Sequence, residues 1–302
     1  MPPEVSVIIP TYNRRAMVHD AVASVLAQRG ANFELIVVDD GSTDGTSESL
    51  APIDGVTLAR TEHRGVAATR NHGVAMANAP LIAFVDSDDI WMPDKLRRQL
   101  AFTREHPDWA ISQTAELWVR NGCRVNPGRR HLKRAGDIFV DSLRTCLISP
   151  SAVILKADLF RALGGFDEDL AAAEDYDLWL RILVDHEVGL LDEPLMTRRA
   201  GHHDQLSSSI PAIDRFRVIA LMKLLANDHL SNSRRAAVID VLIEKCQILA
   251  TGAHRRGRQS ESIYQIIAST AGQWRDGPDD SLVRMTSKVR EVMRTSCRER
   301  IR

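Results

Sequence analysis

Four short apolar runs dominate the first part of the chain: Val5-Ser6-Val7-Ile8-Ile9, Phe33-Glu34-Leu35-Ile36-Val37-Val38, Val56-Thr57-Leu58-Ala59 and Leu81-Ile82-Ala83-Phe84-Val85. They are rich in β-branched residues and mostly apolar at consecutive positions. That pattern suits strands buried on both faces. Helical spacing fills the gaps. Arg15 to Gln28 carries Met17, Val18, Ala21, Val22, Val25 and Leu26 on one stripe. Thr43 to Leu50 reads as a second helix, N-capped by Ser42 or Thr43, and Arg64 to Ala77 as a third, opened by Gly65. The order β-α-β-α-β-α-β with short loops demands a parallel sheet wrapped by helices. The expected class is therefore α/β, with a Rossmann-like nucleotide half at the N-terminus.

The last of these strands runs into Asp86-Ser87-Asp88-Asp89. Open α/β sheets place ligands outside the C-terminal ends of their strands. Carboxylates this close repel each other unless a cation lies between them, and a hard divalent ion with substrate phosphates in its shell resolves the conflict. A DxD of this kind also occurs as an ordinary Asp-rich turn. Pro10-Thr11-Tyr12-Asn13-Arg14 and Asp39-Asp40-Gly41-Ser42 leave the same predicted edge. Backbone N–H groups and a helix N-terminus there suit a nucleotide. Asp39 or Asp40 suits a hydrogen bond from a base N–H or a ribose hydroxyl. An acidic pair at a strand end also occurs as a capping turn and in phosphoacceptor receiver domains, which are much shorter.

The middle of the chain is mixed. Pro93 to Glu105 reads as an amphipathic helix, and Ala110 to Val119, Ser151 to Leu155 and Val188 to Leu191 as strands. Asn121 to Gly136 is polar and basic and is expected to be a loop; its Arg129-Arg130-His131 is placed either as a gate to an acceptor site or as a solvated surface. Asp158 to Leu163 is a short helix ended by Gly164-Gly165, and Glu174 to Asp185 a helix with Leu178, Trp179, Ile182 and Leu183 on its apolar face. Trp91, Trp109, Trp118 and Trp179 are expected in the core or at its rim, with Trp91 and Trp118 also suited to stacking on a sugar. From Pro211 the pattern turns wholly helical: Phe216 to Leu225, Arg235 to Leu249, Ser260 to Ile267.

With 302 residues, one large domain fits, or one domain with an appendage. The near-neutral balance, formally −1, gives no overall attraction to nucleic acid. Cys123, Cys146, Cys246 and Cys297 lie far apart without a CxxC, which argues against zinc or a disulfide framework and for a reducing compartment. There is no basic n-region followed by an apolar h-region, and no apolar run near the roughly 20 residues that span a bilayer. The expected location is cytoplasmic, with any membrane association peripheral, at the inner face. For the helical tail the favoured reading is a packing or homodimerisation appendage, ahead of membrane or partner docking.

Four ordered stretches carry a family resemblance: Val5 to Arg14, Glu34 to Asp44, Arg64 to Asn71 and Phe84 to Asp89. It continues through Gly164-Gly165-Phe166-Asp167-Glu168 and Glu174-Asp175-Tyr176-Asp177-Leu178-Trp179-Leu180-Arg181. Together they resemble the inverting family-2 glycosyltransferases over roughly residues 4 to 208. The resemblance implies the A-type glycosyltransferase fold, a nucleotide-diphospho-sugar transferase fold. The implied division is a catalytic domain over 1–210, with a nucleotide-binding half over 1–92 and an acceptor-binding half over 93–210. A helical C-terminal extension covers 211–302 and is not part of the common core.

By that likeness Pro10, Thr11 and Tyr12 line the base and ribose pocket beside Arg14. Asp40 meets the base imide N–H, with Asp39 the second choice. Arg70 or Arg64 faces the diphosphate. Asp86 touches the ribose or a metal-bound water, Asp88 is the direct metal ligand, and Asp89 is a supporting acid or cap. The metal is Mn²⁺ or Mg²⁺, which suit an oxygen-dominated site. Asp175 is the implied base, at a helix N-terminus whose dipole favours its ionised form, and Glu174 binds or orients the acceptor. A His near Arg198-Arg199-Ala200-Gly201-His202-His203 contacts metal or phosphate, with His202 favoured, and Arg198 and Arg199 suit phosphate. The implied activity is metal-dependent inverting transfer from a nucleotide-sugar, a UDP-sugar most often, to a hydroxyl of a glycan, lipid-linked sugar or polysaccharide precursor. The alternative is a non-catalytic nucleotide-sugar-binding or scaffolding protein of a glycan-assembly complex.

Overall fold

The structure is a computed structural model, and it describes residues 1–201, 210, 212–227, 229–257, 260–278 and 280–298, with backbone alone from 292 onward. The described residues fall into two compact units, Met1–Ile138 with Thr145–Ser209, and Phe139–Arg144 with Ile210–Arg302.

In the first unit the strands join in one nine-stranded sheet. Its parallel part is β1 (Val5–Thr11), β2 (Phe33–Asp39), β3 (Val56–Arg60) and β4 (Leu81–Phe84), in spatial order β3-β2-β1-β4. The helices between them are α1 (Arg15–Leu26), α2 (Thr46–Leu50) and α3 (Val66–Met76). β1 is buried along its whole length. Its side chains alternate between faces: Val5, Val7 and Ile9 join a cluster with Val18, Val22 and Val25 of α1. On the other face α3 lies so close that a Cβ on Gly73 would stand 2.5 Å from Ile8 Cγ2. The register sets Thr11 beside Asp39 and Ile8 beside Phe84, so three chain segments leave the sheet at one edge.

The sheet continues through antiparallel β8 (Val153–Lys156), then β6 (Ile111–Arg120), β9 (Gly189–Ala200) and β5 (Ile90–Trp91), while β7 (Cys123–Val125) pairs with β6. Helices α4 (Lys95–Glu105), α6 (Ala157–Ala162) and α7 (Glu174–Leu183) complete the unit. The second unit holds α5 (Phe139–Arg144), α8 (Asp214–Leu225), α9 (Asn232–His254), α10 (Glu261–Thr270) and α11 (Asp280–Arg298). Its core includes Phe216, Val238, Leu242 and Trp274, and Lys245 Nζ pairs with Asp214 Oδ1 at 3.0 Å.

The α/β class and the helical C-terminal region stand as expected, and several local expectations do not. Neither Ser42 nor Thr43 caps α2: the helix starts at Thr46 after a left-handed Gly45, and the Ser42 hydroxyl accepts from Asn13 N instead. The strand expected to stop at Leu191 runs to Ala200, with Pro194 at the point where the β6–β9 register slips, a place where a strand tolerates proline. The polar stretch after Arg120 is partly ordered. Asn121 and Gly122 both adopt positive φ, the geometry of a tight hairpin turn, and return the chain as β7; a 3₁₀ turn follows at Arg129–His131. Trp91 is closed off from any sugar: it is buried, and its Nε1 donates to Ser151 O at 2.8 Å.

Candidate active site

The β1 exit loop and the Asp-Asp turn are tied together. Asn13 N donates to Ser42 Oγ at 2.8 Å, and Asn13 Oδ1 accepts from Thr43 N at 2.8 Å. Pro10 and Thr11 are buried in β1. Tyr12 is 40% exposed and stacks on His63 at 3.9 Å between centroids. Asp39 and Asp40 are both buried yet face different partners. Asp39 turns inward, accepting from Ser42 N at 3.0 Å and from the Ser47 hydroxyl. Asp40 accepts from Arg64 N and Gly65 N, each at 2.8 Å, and from His63 Nδ1 at 2.8 Å. It thereby satisfies N–H groups at the entry to α3, which helices otherwise leave unmet. The Arg64 side chain is exposed and reaches Glu168 at 2.6 Å.

Arg70, on α3, is nearly sealed from solvent. One guanidinium nitrogen meets Asp86 Oδ1 at 2.6 Å and another meets Glu174 Oε1 at 2.6 Å. Its carbon lies 5.2 Å from the centre of the Phe166 ring. One side chain therefore joins the strand-end acids to the start of α7. Burial works against the charge on Arg70, but Asp86 and Glu174 more than restore it and raise its pKa. Glu174 is buried beside Asp175; burial, opposed by Arg70 and reinforced by the Asp175 charge, pushes its carboxyl up to about 7.

Asp86, Asp88 and Asp89 each place one carboxylate oxygen within 4.8 Å of the others. Arg14 stands at 3.2 Å from Asp88, and Asp89 accepts from Arg199 N at 3.1 Å. Burial, then the charges of Asp88 and Asp86, hold the Asp89 carboxyl well above its ordinary range. Crowding of this kind is what a bound divalent cation relieves, and an all-carboxylate donor set fits Mg²⁺ or Mn²⁺. A cavity of about 270 Å³ opens beside Asp88, reaching Met17 on α1 and Arg199 on β9.

Asp175 sits in the first turn of α7, after a left-handed Ala173. Its Oδ1 accepts from Tyr176 N at 2.7 Å, and the Cys146 thiol points at its Oδ2 at 3.7 Å. Arg198 faces the acids from β9. Burial lowers its pKa and is outweighed by Glu116, Asp89, Asp86 and Asp175. Its guanidinium lies 5.0 Å from the Trp118 ring centre. Arg198 and Arg199, read from the sequence as suited to phosphate, stand beside these acids. Glu116 and Lys133, a buried pair at 3.2 Å behind them, were not foreseen. The available signal was one acid inside the otherwise apolar half of β6. His202 and His203 lie outside the described residues.

A family model described as glycosyl transferase family 2 matches residues 6–160. An uncharacterized glycosyltransferase of Rickettsia felis is 34% identical over 195 residues, 64% of this chain, which span 32% of that protein's length. The UDP-Glc:alpha-D-GlcNAc-diphosphoundecaprenol beta-1,3-glucosyltransferase WfgD of Escherichia coli is 31% identical over 191 residues, 62% of this chain and 73% of that protein. The crystal structure of S. aureus TarS 1-349 in complex with UDP-GlcNAc superposes with a TM-score of 0.70 at 20% identity, covering 97% of this chain and 92% of that one. At that identity the likeness speaks to the fold, which is the A-type glycosyltransferase fold.

Proposed function

The chain belongs to glycosyl transferase family 2, and on that premise we propose that it moves a sugar from a nucleotide-diphosphate donor to an acceptor hydroxyl, inverting the anomeric carbon. Membership makes it a transferase enzyme, and the non-catalytic scaffolding alternative is set aside. A UDP-sugar is the favoured donor, because WfgD is named for UDP-Glc and TarS was crystallised with UDP-GlcNAc. A glycan, polysaccharide precursor or lipid-linked sugar is the favoured acceptor. No helix among the described residues is long and apolar enough to cross a membrane.

Tyr12 with Pro10 and Thr11 would border the base and ribose. Asp40 would take the base imide N–H, because it sits beside His63, which stacks on Tyr12, whereas Asp39 faces inward to Ser42 and Ser47. Arg64 is the arginine with a head group in solvent, so it would reach the diphosphate, while Arg70 would position Asp86 and Glu174. Asp88 and Asp86 would hold Mn²⁺ or Mg²⁺. When bound, the metal supplies Lewis-acid stabilisation of the departing diphosphate. Asp175 would accept the acceptor hydroxyl proton as the new O–C1 bond forms, and the electrons of the breaking C1–O bond would leave with the diphosphate. Glu174 would hold the acceptor in line.

The observation that carries this reading is the double pairing of Arg70, which sets the strand-end acids and the Glu174-Asp175 pair around one cation. The test is a thermal-shift panel of UDP, GDP, CDP and dTDP sugars, with and without Mn²⁺, on the wild type, Asp88→Ala and Asp175→Asn. A metal-dependent rise with one nucleotide class, lost in Asp88→Ala and kept in Asp175→Asn, is expected. Hydrolysis of that donor should fall about a hundred- to ten-thousand-fold in Asp175→Asn. No shift with any donor would sink the proposal.

A further inference from the structure

Between Glu116 and Asp137 the chain has no acidic residue, yet it carries Arg120, Arg124, Arg129, Arg130, Lys133 and Arg134. In a chain whose charges nearly cancel overall, this is a local excess of one sign. The structure gathers it into a built element. The Asn121-Gly122 turn folds Cys123–Val125 back onto β6, and the 3₁₀ turn Arg129–His131 follows. Arg124, Arg129 and Arg130 are exposed. Among the described residues no carboxylate forms an ion pair with Arg120, Arg124, Arg129 or Arg130; Arg130 Nε instead meets the neighbouring His131 ring at 3.1 Å.

This basic lip is anchored to the wall that bears Asp175. Lys133 Nζ donates to Leu147 O at 3.0 Å and to Ser149 Oγ at 2.9 Å, and pairs with Glu116 at 3.2 Å. One residue before Leu147, Cys146 Sγ lies 3.7 Å from Asp175 Oδ2. His131 lies 5.3 Å from the Trp118 ring, whose face Arg198 covers. The lip is thus fastened to the Leu147–Ser149 segment, next to the Cys146 that approaches Asp175. Like charges this dense along the chain, exposed and without acidic partners among the described residues, repel unless an anion joins them. Exposed guanidinium groups match the planar, bidentate geometry of phosphate oxygens, and a neutral glycan would need none of them.

We propose that the β6–β7 hairpin and its 3₁₀ turn form a phosphate-binding lip, so that the acceptor is a phosphate-bearing molecule whose hydroxyl is presented to Asp175 while its phosphate rests on Arg124, Arg129 and Arg130. The assignment of an acceptor side rests on the transferase reading above; the anion site itself does not. The phosphate belongs either to a lipid headgroup or to a soluble phosphate ester.

The test uses the full chain with UDP and Mn²⁺ in excess, so that the donor site is filled. Binding is measured to inorganic tripolyphosphate, to phosphatidylcholine vesicles doped with a polyprenyl diphosphate, and to phosphatidylcholine vesicles alone. Saturable binding to tripolyphosphate identifies a site that accepts free phosphate; binding confined to the doped vesicles identifies a lipid-borne one. In either case the triple variant Arg124→Gln, Arg129→Gln, Arg130→Gln should bind at least about tenfold more weakly, and added salt should erode wild-type binding. The variant's thermal shift with UDP and Mn²⁺ reports its folding and donor site. Binding to neither probe, or equal binding by wild type and variant, overturns the lip. A missing UDP shift in the wild type would instead count against the donor reading and leave the phosphate measurements standing on their own.

Discussion

Arg70 concentrates the chemistry at the scale of single residues. A guanidinium shared by Asp86 and Glu174, with Arg70 and Glu174 out of water and Asp86 half-buried, is favourable only while its partners are present. Arg70→Met should leave the buried Glu174 carboxylate without its cation, and the half-buried Asp86 with it, and lower stability by about 3 kcal/mol, read as a drop in the urea midpoint. Arg70→Lys keeps the charge but is a point donor that cannot fork between two acids. It should recover most of the stability and little of the transfer rate; equal recovery of both would show that Arg70 only balances charge. The neighbouring acids divide similarly by environment. Asp39 and Asp40 are adjacent in sequence, but one faces the Ser42 and Ser47 groups inside the turn and the other caps the entry to α3.

Among the elements, α4 holds the most unusual group. Lys95 is fully buried and lies 4.7 Å from the Trp91 ring centre. Its Nζ donates to Gln99 Oε1 at 2.5 Å and to Ala152 O at 3.3 Å. A neutral amine still has two N–H groups for those two acceptors, so the loss of charge costs no hydrogen bond. Burial brings its pKa from the ordinary 10.5 down to about 7. Between those values the unfolded chain binds a proton that the folded chain does not, so stability rises with pH across that window. The slope from this group is at most about 1.4 kcal/mol per pH unit. Urea melts from pH 7 to 9 should show it as the difference between wild type and Lys95→Met, with the wild type gaining on the variant as pH rises. A difference that shrinks or stays flat would mean the amine remains charged inside.

At the scale of the molecule, each unit buries its own core: Val7, Val22 and Leu35 in the first, Leu221, Val238 and Trp274 in the second. Units with separate cores unfold as separate cooperative blocks. Calorimetry should resolve two transitions, and UDP with Mn²⁺ should raise the one that belongs to the sheet-bearing unit. One transition whose calorimetric and van't Hoff enthalpies agree would show that the units melt together. The charge tally of the whole chain, 39 Lys and Arg against 40 Asp and Glu, hides the basic lip on that same unit. Net charge describes solubility and says little about local fields.

The parallel strands, the helices between them and the acids at their ends follow from the sequence itself. Apolar runs can be buried only as inner strands, and a parallel crossover admits essentially one hand. The family motifs were legible for the same reason: backbone turns and charged ends recur at fixed distances along the chain. Other features depended on contacts between residues far apart in sequence. That Arg70 clasps Asp86 and Glu174, that Lys133 anchors a basic hairpin beside the Asp175 wall, and that Pro194 sits harmlessly in a register slip are facts of side-chain packing. So is the placing of Phe139–Arg144, six residues from the middle of the chain, with the C-terminal helices. Periodicity tells which face of an element is apolar; only the tertiary structure decides which partner covers it, because that choice is made by shape and burial across the whole fold.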